Sequence, residues 1–272
     1  MAGKWHCMLT AFVCMGALGV TIMPAASANN TDGESQDKTT KTSVELRWFN
    51  PTVRGSVGGD SYFSERSYEH KLDFEQDLGV TNMNNAPEVK ITHGKWSVDY
   101  IRMGSNVNQH RLQAPITHNG KTYAGLLDTD IKVDYVSVDY HQTMVENRYA
   151  DVYWTAGAKY MGVSATSTGT NDTTGAPESD SDSARGIVPS LGIGGTWKSA
   201  TAPKWNGNLC ISGIPLGGHG HIVDVETSVS YNPDINWQVT AGYRFLDLKL
   251  NKDDKRLNFK ANGPFLGISY LF

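Results

Sequence analysis

The sequence predicts an all-β fold: a closed antiparallel up-and-down barrel of about ten strands that crosses a membrane. Three observations carry the prediction. Segment after segment alternates apolar and polar residues with the period of two that gives a strand one apolar face. The last strand runs to the chain terminus, with Leu266, Ile268, Tyr270 and Phe272 on alternate positions, whereas the terminal residues of a soluble domain usually fray. Beyond the N-terminal segment, no apolar run approaches the roughly twenty residues of a membrane helix, so any spanning falls to strands.

The chain of 272 residues begins Met1-Ala2-Gly3-Lys4, continues through an apolar stretch from Met8 to Met23, and reaches Ala26-Ser27-Ala28 before turning polar. This is the pattern of a secretory signal peptide, residues 1–28, with an A-x-A cleavage site. Phe12-Val13-Cys14 is a poor match for a lipoprotein box and lies too early. Cleavage removes Lys4, Cys7 and Cys14, which makes the net charge of −4 one unit more negative and leaves Cys210 as the only mature cysteine. A mature chain with one cysteine forms no internal disulfide and no cysteine-based metal site. The mild acidity argues against nucleic acid as a ligand. Residues 29–42 are polar and aperiodic, a short leader before a barrel at 43–272.

A terminal Phe272 with Tyr270 two residues before it resembles the closing strand of bacterial outer-membrane proteins. With the signal peptide, the Gly242-Tyr243-Arg244-Phe245 strand and the closing Gly263-Pro264-Phe265-Leu266-Gly267, the resemblance is to the small outer-membrane β-barrel domain family. It implies residence in the cell outer membrane of a Gram-negative-type envelope, contact with lipid and lipopolysaccharide, and handling by the barrel-insertion machinery through the last strand. It implies no particular activity, because a fold hosts many.

The strands can be taken in order. Val44, Leu46 and Trp48 share one face of the first, with Glu45 and Arg47 on the other. Further segments begin at Glu88, Trp96, Leu127, Arg148, Gly186, Asn206, His221, Asp234 and Lys255, which makes ten, with twelve as the alternative. Val57 to Ala86 is assigned to a long external loop or an inward-folded segment. In the last strand the apolar set passes from Leu257 and Phe259 to Leu266 and Ile268 across Gly263-Pro264, so a bulge is expected there.

With Phe272 placed in the periplasm, the turns at 93–95, 144–147, 200–204 and 232–234 are internal. Asn106 to Leu126 and Ser164 to Arg185 become long external loops, the asymmetry of outer-membrane barrels. Trp96, Tyr140, Tyr149, Trp197, Trp205, Tyr231, Trp237, Tyr270 and Phe272 all lie near the internal turns, as an aromatic girdle should. Tyr160, Phe245 and Phe259 are assigned to the outer girdle.

The opposite parity yields the lumen candidates: Glu45, Arg47, Asp99, Asp139, His141, Asp151, Lys159, Lys198, Asp224, Glu226, Arg244 and Lys260. Charges of both signs predict neither strong cation nor strong anion selectivity. In a narrow barrel they form a salt-bridged polar plug or line a narrow solute path. Catalytic candidates would be His110, His118, His219 and His221, none beside a recognisable nucleophile. His219-Gly220-His221 would need a third donor to hold a metal. Residues 171–185 lack the Asp-x-Asp-x-Asp-Gly order of a calcium loop, and Gly192-Ile193-Gly194-Gly195 lacks the Lys-Ser/Thr of a phosphate loop. The expectation is a non-enzymatic, cofactor-free barrel acting structurally or through its long loops. A porin-like passive channel is the alternative, and a lipid- or peptide-processing enzyme comes third.

Overall fold

The computed structural model describes residues 41–59, 71–83, 86–112, 116–118, 121–171, 175–199, 201–215, 217–252 and 255–272. The signal peptide and nearly all of the leader lie outside the described residues. No described helix is long and apolar enough to cross a membrane.

The chain forms one antiparallel sheet that closes on itself. Its ring strands are β1 (Thr42–Phe49), β4 (Ala86–His93), β5 (Trp96–Arg111), β7 (Lys121–Glu146), β8 (Ala150–Asn171), β9 (Pro177–Lys198), β10 (Trp205–Pro215), β11 (Gly220–Tyr231), β12 (Trp237–Lys252) and β13 (Lys255–Leu271). Each pairs with the next, and β13 returns to β1 in the register Ser43↔Leu271 to Phe49↔Phe265. These are the ten segments read from the alternation. Closure removes the exposed edges that an open sheet would present. Both β1 and the terminal Phe272 lie at one end, called here the near end, where the Phe272 N–H donates to the Thr42 carbonyl at 2.9 Å.

The first strand is broken. β2 (Thr52–Gly59) also pairs with β13, over Thr52↔Asn262 to Gly59↔Lys255, so it prolongs β1 past an interruption at Asn50-Pro51. Pro51 has no N–H to donate. Gly263-Pro264 stands directly opposite, and Asn50 donates its N–H to the Pro264 carbonyl at 3.0 Å. This confrontation replaces the expected bulge: the β12–β13 register runs without a shift from Trp237↔Tyr270 to Lys252↔Lys255.

Because β4 begins level with the end of β1, at Phe49↔Ala86, the wall beyond needs another partner. The segment after β3 (Lys71–Asp73) supplies it. Phe74 donates its N–H to the Gly55 carbonyl at 3.0 Å, Val53 to Thr81 at 3.1 Å and Met83 to Pro51 at 3.2 Å. Phe74, Leu78, Val80 and Met83 are buried in the core. Of 57–86, residues 57–59 finish the wall strand β2, β3 pairs with it, and 74–83 turn their apolar side chains into the core as the inward-folded reading expected.

The two regions expected as long external loops are largely strand. β7 runs for 26 residues and β8 and β9 for 22 each, where a tilted bilayer strand needs about ten. β8 and β9 stay paired out to Thr170↔Pro177, and β5 continues to Arg111, with the short β6 (Ile116–His118) pairing to β7. Thr166, Thr168 and Thr170, on alternate positions, carry high β propensity without apolarity. The barrel therefore projects well past any bilayer.

Candidate functional site

Along each strand the inward parity is set by the pleat, and the chemistry of that parity changes with height. On β12, Gln238, Thr240 and Arg244 point inward near the terminal end, then Leu246 and Leu248 farther along. The outward set does the reverse, Trp237, Val239, Ala241, Tyr243 and Phe245 giving way to Asp247 and Lys249. β11 makes the same switch between Asp224 and Ile222, and β7 between Ser137 and Tyr135. The near half is apolar outside and polar inside. The far half is polar outside and apolar inside.

At the boundary sits a layer of buried ions. Arg47 on β1 contacts Glu45 at 2.9 Å, Glu88 at 3.0 Å and Glu226 at 3.0 Å. Arg244 on β12 reaches Asp224 at 2.8 Å, Asp99 at 2.9 Å and Glu88 at 3.3 Å. Lys159 on β8 lies 2.9 Å from Asp224 and donates to the Tyr135 hydroxyl at 2.9 Å. The Tyr135 hydroxyl donates to Asp224 in turn, at 2.8 Å. Lys90 completes the set at 3.7 Å from Glu226. Glu88, shared by both arginines, ties six strands into one network, and each ion has partners of opposite sign, as burial requires.

Two aromatic rings cap this layer. The Arg47 guanidinium lies 4.6 Å from the centroid of Phe265, and that of Arg244 lies 5.1 Å from the ring of Tyr135, within cation–π range. The backbone makes room at Gly267, whose absent Cβ would press on Glu45 Oε1 at 2.8 Å and Arg47 Cγ at 2.9 Å. Beyond the rings the interior is apolar: Phe49, Ile101, Met103, Ile222, Leu246 and Phe259 are buried.

On the near side of the ions lies a polar cavity of about 440 Å³, lined by Lys90, Asp139, His141, Asn208, Cys210 and Glu226 among others. Asp139 accepts from Ser137 and, at 3.2 Å, from Ser190. His141 Nε2 and the Ser97 hydroxyl are hydrogen-bonded at 2.7 Å. Lys198 at the mouth pairs with Asp151 at 2.7 Å. The free Cys210 faces this cavity.

Eleven of the twelve lumen candidates thus lie on the inward parity. Lys260 does not. Its side chain is 53% exposed and pairs at 2.9 Å with the outward Asp247. Its placement assumed a phase change at Gly263-Pro264, and with unbroken alternation Leu257 and Phe259 turn inward instead. Phe259 accordingly belongs to the core and not to the outer girdle, whereas Tyr160 and Phe245 do point outward. Glu88, Lys90 and Tyr135 were missed as lumen residues. Glu88 and Lys90 alternate with Val89 and Ile91, and Tyr135 shares the parity of Ser137 and Asp139, so all three were legible by the same rule.

Of the catalytic candidates, His110 contacts the Gln76 carbonyl through Nε2 at 3.0 Å. His221 faces outward with Nε2 3.4 Å from Asp247. The side chains of His118 and His219 lie outside the described residues. Among the described residues no cluster of three metal-ligating side chains is found.

No protein-family model matches the chain, and no curated protein matches it. Among solved structures, the outer membrane protease OmpT from Escherichia coli superposes with a TM-score of 0.52 at 12% identity, over 85% of this chain and 97% of that one. The chain has the fold of a bacterial outer-membrane β-barrel. Ail, the attachment invasion locus protein of Yersinia pestis, is 16% identical over 86% of this chain and 99% of its own, at a TM-score of 0.32. The translocator domain of the autotransporter NalP from Neisseria meningitidis is 8% identical over 87% and 90%, at 0.37. On the sequence-based expectation that Phe272 lies in the periplasm, the near end is called periplasmic and the far end external. The girdle residues meet there edge to face: Trp96 and Tyr140 at 5.2 Å, Trp237 and Tyr270 at 4.9 Å, Tyr270 and Phe272 at 4.9 Å. The Trp197 ring covers Gly207, its register partner, where a Cβ would clash.

Proposed function

We propose that this chain is a non-enzymatic integral protein of the outer membrane, exported by a cleaved signal peptide over residues 1–28. Its interior is closed, and its role is structural or surface-interacting through the external half of the barrel. The observation that carries this reading is the inversion of polarity along the strands. A water-filled pore of the porin type has a polar inward face, whereas here the inward face turns apolar beyond Arg244 and Tyr135 and is packed as a core. The outward face turns polar at the same height, which suits a wall standing in water. The surface on offer is thus rigid paired strand, with β8 and β9 contributing much of it. OmpT is a protease, but a likeness at 12% identity extends to the fold alone.

The passive channel is the second reading, favoured by the periplasmic cavity, which stops against Arg47 and Arg244. Refolded protein in planar bilayers separates the two: the closed reading expects no discrete openings, and reproducible single-channel steps would overturn it. Turnover of lipid or peptide substrates that is abolished by His110→Ala or His221→Ala would overturn the non-enzymatic part. Recovery of the mature chain in the periplasmic extract, without heat-modifiable gel mobility, would overturn the location.

A further inference from the structure

The outward face just above the apolar band is not uniform around the barrel. On one wall, four consecutive strands bring together Arg54 of β2, Lys260 of β13, Asp247 and Lys249 of β12, and His221 of β11. The registers Arg54↔Lys260, Lys260↔Asp247 and Lys249↔His221 make them neighbours. Asp247 is the carboxylate of this group and is engaged on both oxygens, by Lys260 at 2.9 Å and His221 at 3.4 Å. Three fixed cations therefore face one acid. On β7 and β5 the balance is opposite: Asp128, Asp130 and Asp134 accompany Lys132 and Arg102, which are paired at 2.9 Å to Asp130 and 3.9 Å to Asp134.

Height decides what the basic wall can meet. From Trp237 to Phe245 the outward residues of β12 are apolar or aromatic, about 26 Å along the strand at about 3.3 Å per residue, and about 20 Å of depth at the usual tilt. The next outward residue is Asp247, followed by Lys249. The patch therefore begins where acyl chains end and headgroups start, and Val223, Val225, Tyr243, Phe245 and Leu266 lie on the band beneath it.

Resting on the outer-membrane reading, we propose that Arg54, His221, Lys249 and Lys260 form a docking site for the phosphate groups of outer-leaflet lipid, whose chains lie on that apolar band. Strands about 4.8 Å apart spread Arg54 and His221 over roughly 14 Å, wide enough for a headgroup with two phosphates. The Arg54 guanidinium suits bidentate phosphate binding and the two ammonium groups act as point charges. Asp247 holds Lys260 and His221 in place while opposing the anion.

The test uses the refolded mature chain in phosphatidylcholine nanodiscs, titrated with bis-phosphorylated lipid A, dephosphorylated lipid A or sodium phosphate, and read by native mass spectrometry of bound lipid. Each cation near an anionic lipid surface contributes on the order of fivefold. The combined Arg54→Gln, Lys249→Gln and Lys260→Gln variant should therefore bind bis-phosphorylated lipid at least about tenfold more weakly, while Arg102→Gln with Lys132→Gln leaves binding unchanged. Asp247→Asn should strengthen it. If the combined variant fails to refold, Lys249→Gln alone and Asp247→Asn carry the test with opposite expected signs. Equal binding by wild type and variants, equal binding of dephosphorylated lipid, or competition by free phosphate at matched concentration would overturn the site. None of these outcomes depends on cell fractionation, so the patch can fail while the outer-membrane reading stands.

Discussion

The periplasmic and external halves of this barrel share most of their strands and one alternation, yet they solve opposite solvent problems. In the periplasmic half the wall faces lipid, so Val239, Ala241 and Tyr243 point out, and the polar parity is forced inside to neutralise itself around Arg47 and Arg244. In the external half the wall faces water, so Asp247 and Lys249 point out while Leu246 and Leu248 pack inside. A pleated strand has two faces whatever surrounds it, and the medium decides which carries the charge. The difference teaches that one strand can be a membrane span at one end and a soluble β-wall at the other without a change in backbone register.

The largest effect should come from breaking the ion layer where the halves meet. Arg244→Ala leaves Asp224, Asp99 and Glu88 without their shared counter-ion, and an unpaired buried charge costs about 3–5 kcal/mol. Urea unfolding of the protein in lipid vesicles measures it; a loss under about 1 kcal/mol would mean the layer is solvated and the interior open. Next comes the position of the boundary on the outer face. Ala241→Arg, midway along the apolar stretch of β12, should cost about 2–4 kcal/mol, and Ser164→Arg on β8 close to zero, by the same measurement. Equal costs would erase the distinction between the halves.

A third test concerns access. Cys210 faces the cavity, which lies on the periplasmic side of the ion layer, and apolar core residues lie between it and the external end. A small membrane-impermeant thiosulfonate should modify it in vesicles when supplied from the periplasmic face and not from the external one. Labelling from both faces at similar rates would favour the channel.

The smallest effect lies at the periplasmic rim. The Asp234 carboxylate accepts from the backbone N–H of Asn236 at 2.8 Å and of Trp237 at 2.9 Å, and these bonds, with a lesser contribution from Lys204, hold its pKa below the usual value. A depressed carboxylate pKa stabilises the fold above the unfolded pKa of about 3.9, and that contribution is lost as pH falls through the folded value. Asp234→Ala should therefore speed amide exchange at Asn236 and Trp237 near neutrality, with the gap closing below about pH 4. A gap that persists in acid would assign the effect to the turn backbone.

Much of this was legible in the chain because a strand's parity is local. Val44, Leu46 and Trp48 against Glu45 and Arg47 need no partner to be read, and the tryptophans near one set of turns place an end of the barrel. The errors arose where parity alone is ambiguous. Lys260 and Phe259 exchanged faces because the apolar residues of β13 switch sides at Gly263-Pro264, and a switch of polarity looks like a switch of register until β12 pairs across it. Residues 164–185 read as loop because Ser, Thr and Asp suggest solvent, and solvent is what the outer wall of that hairpin meets.

The sequence by itself determined ten alternating strands, the end at which the chain closes, and eleven of the inward charged residues, because each follows from a period of two and from where turns interrupt it. Tertiary structure alone decided that Glu88 bridges Arg47 and Arg244, that Tyr135 and Phe265 cap them, and that apolar side chains gather in the interior beyond. Those contacts join residues as far apart in the chain as Arg47 and Phe265. They depend on strand stagger and barrel closure, and no local pattern encodes which inward side chains will meet across the lumen.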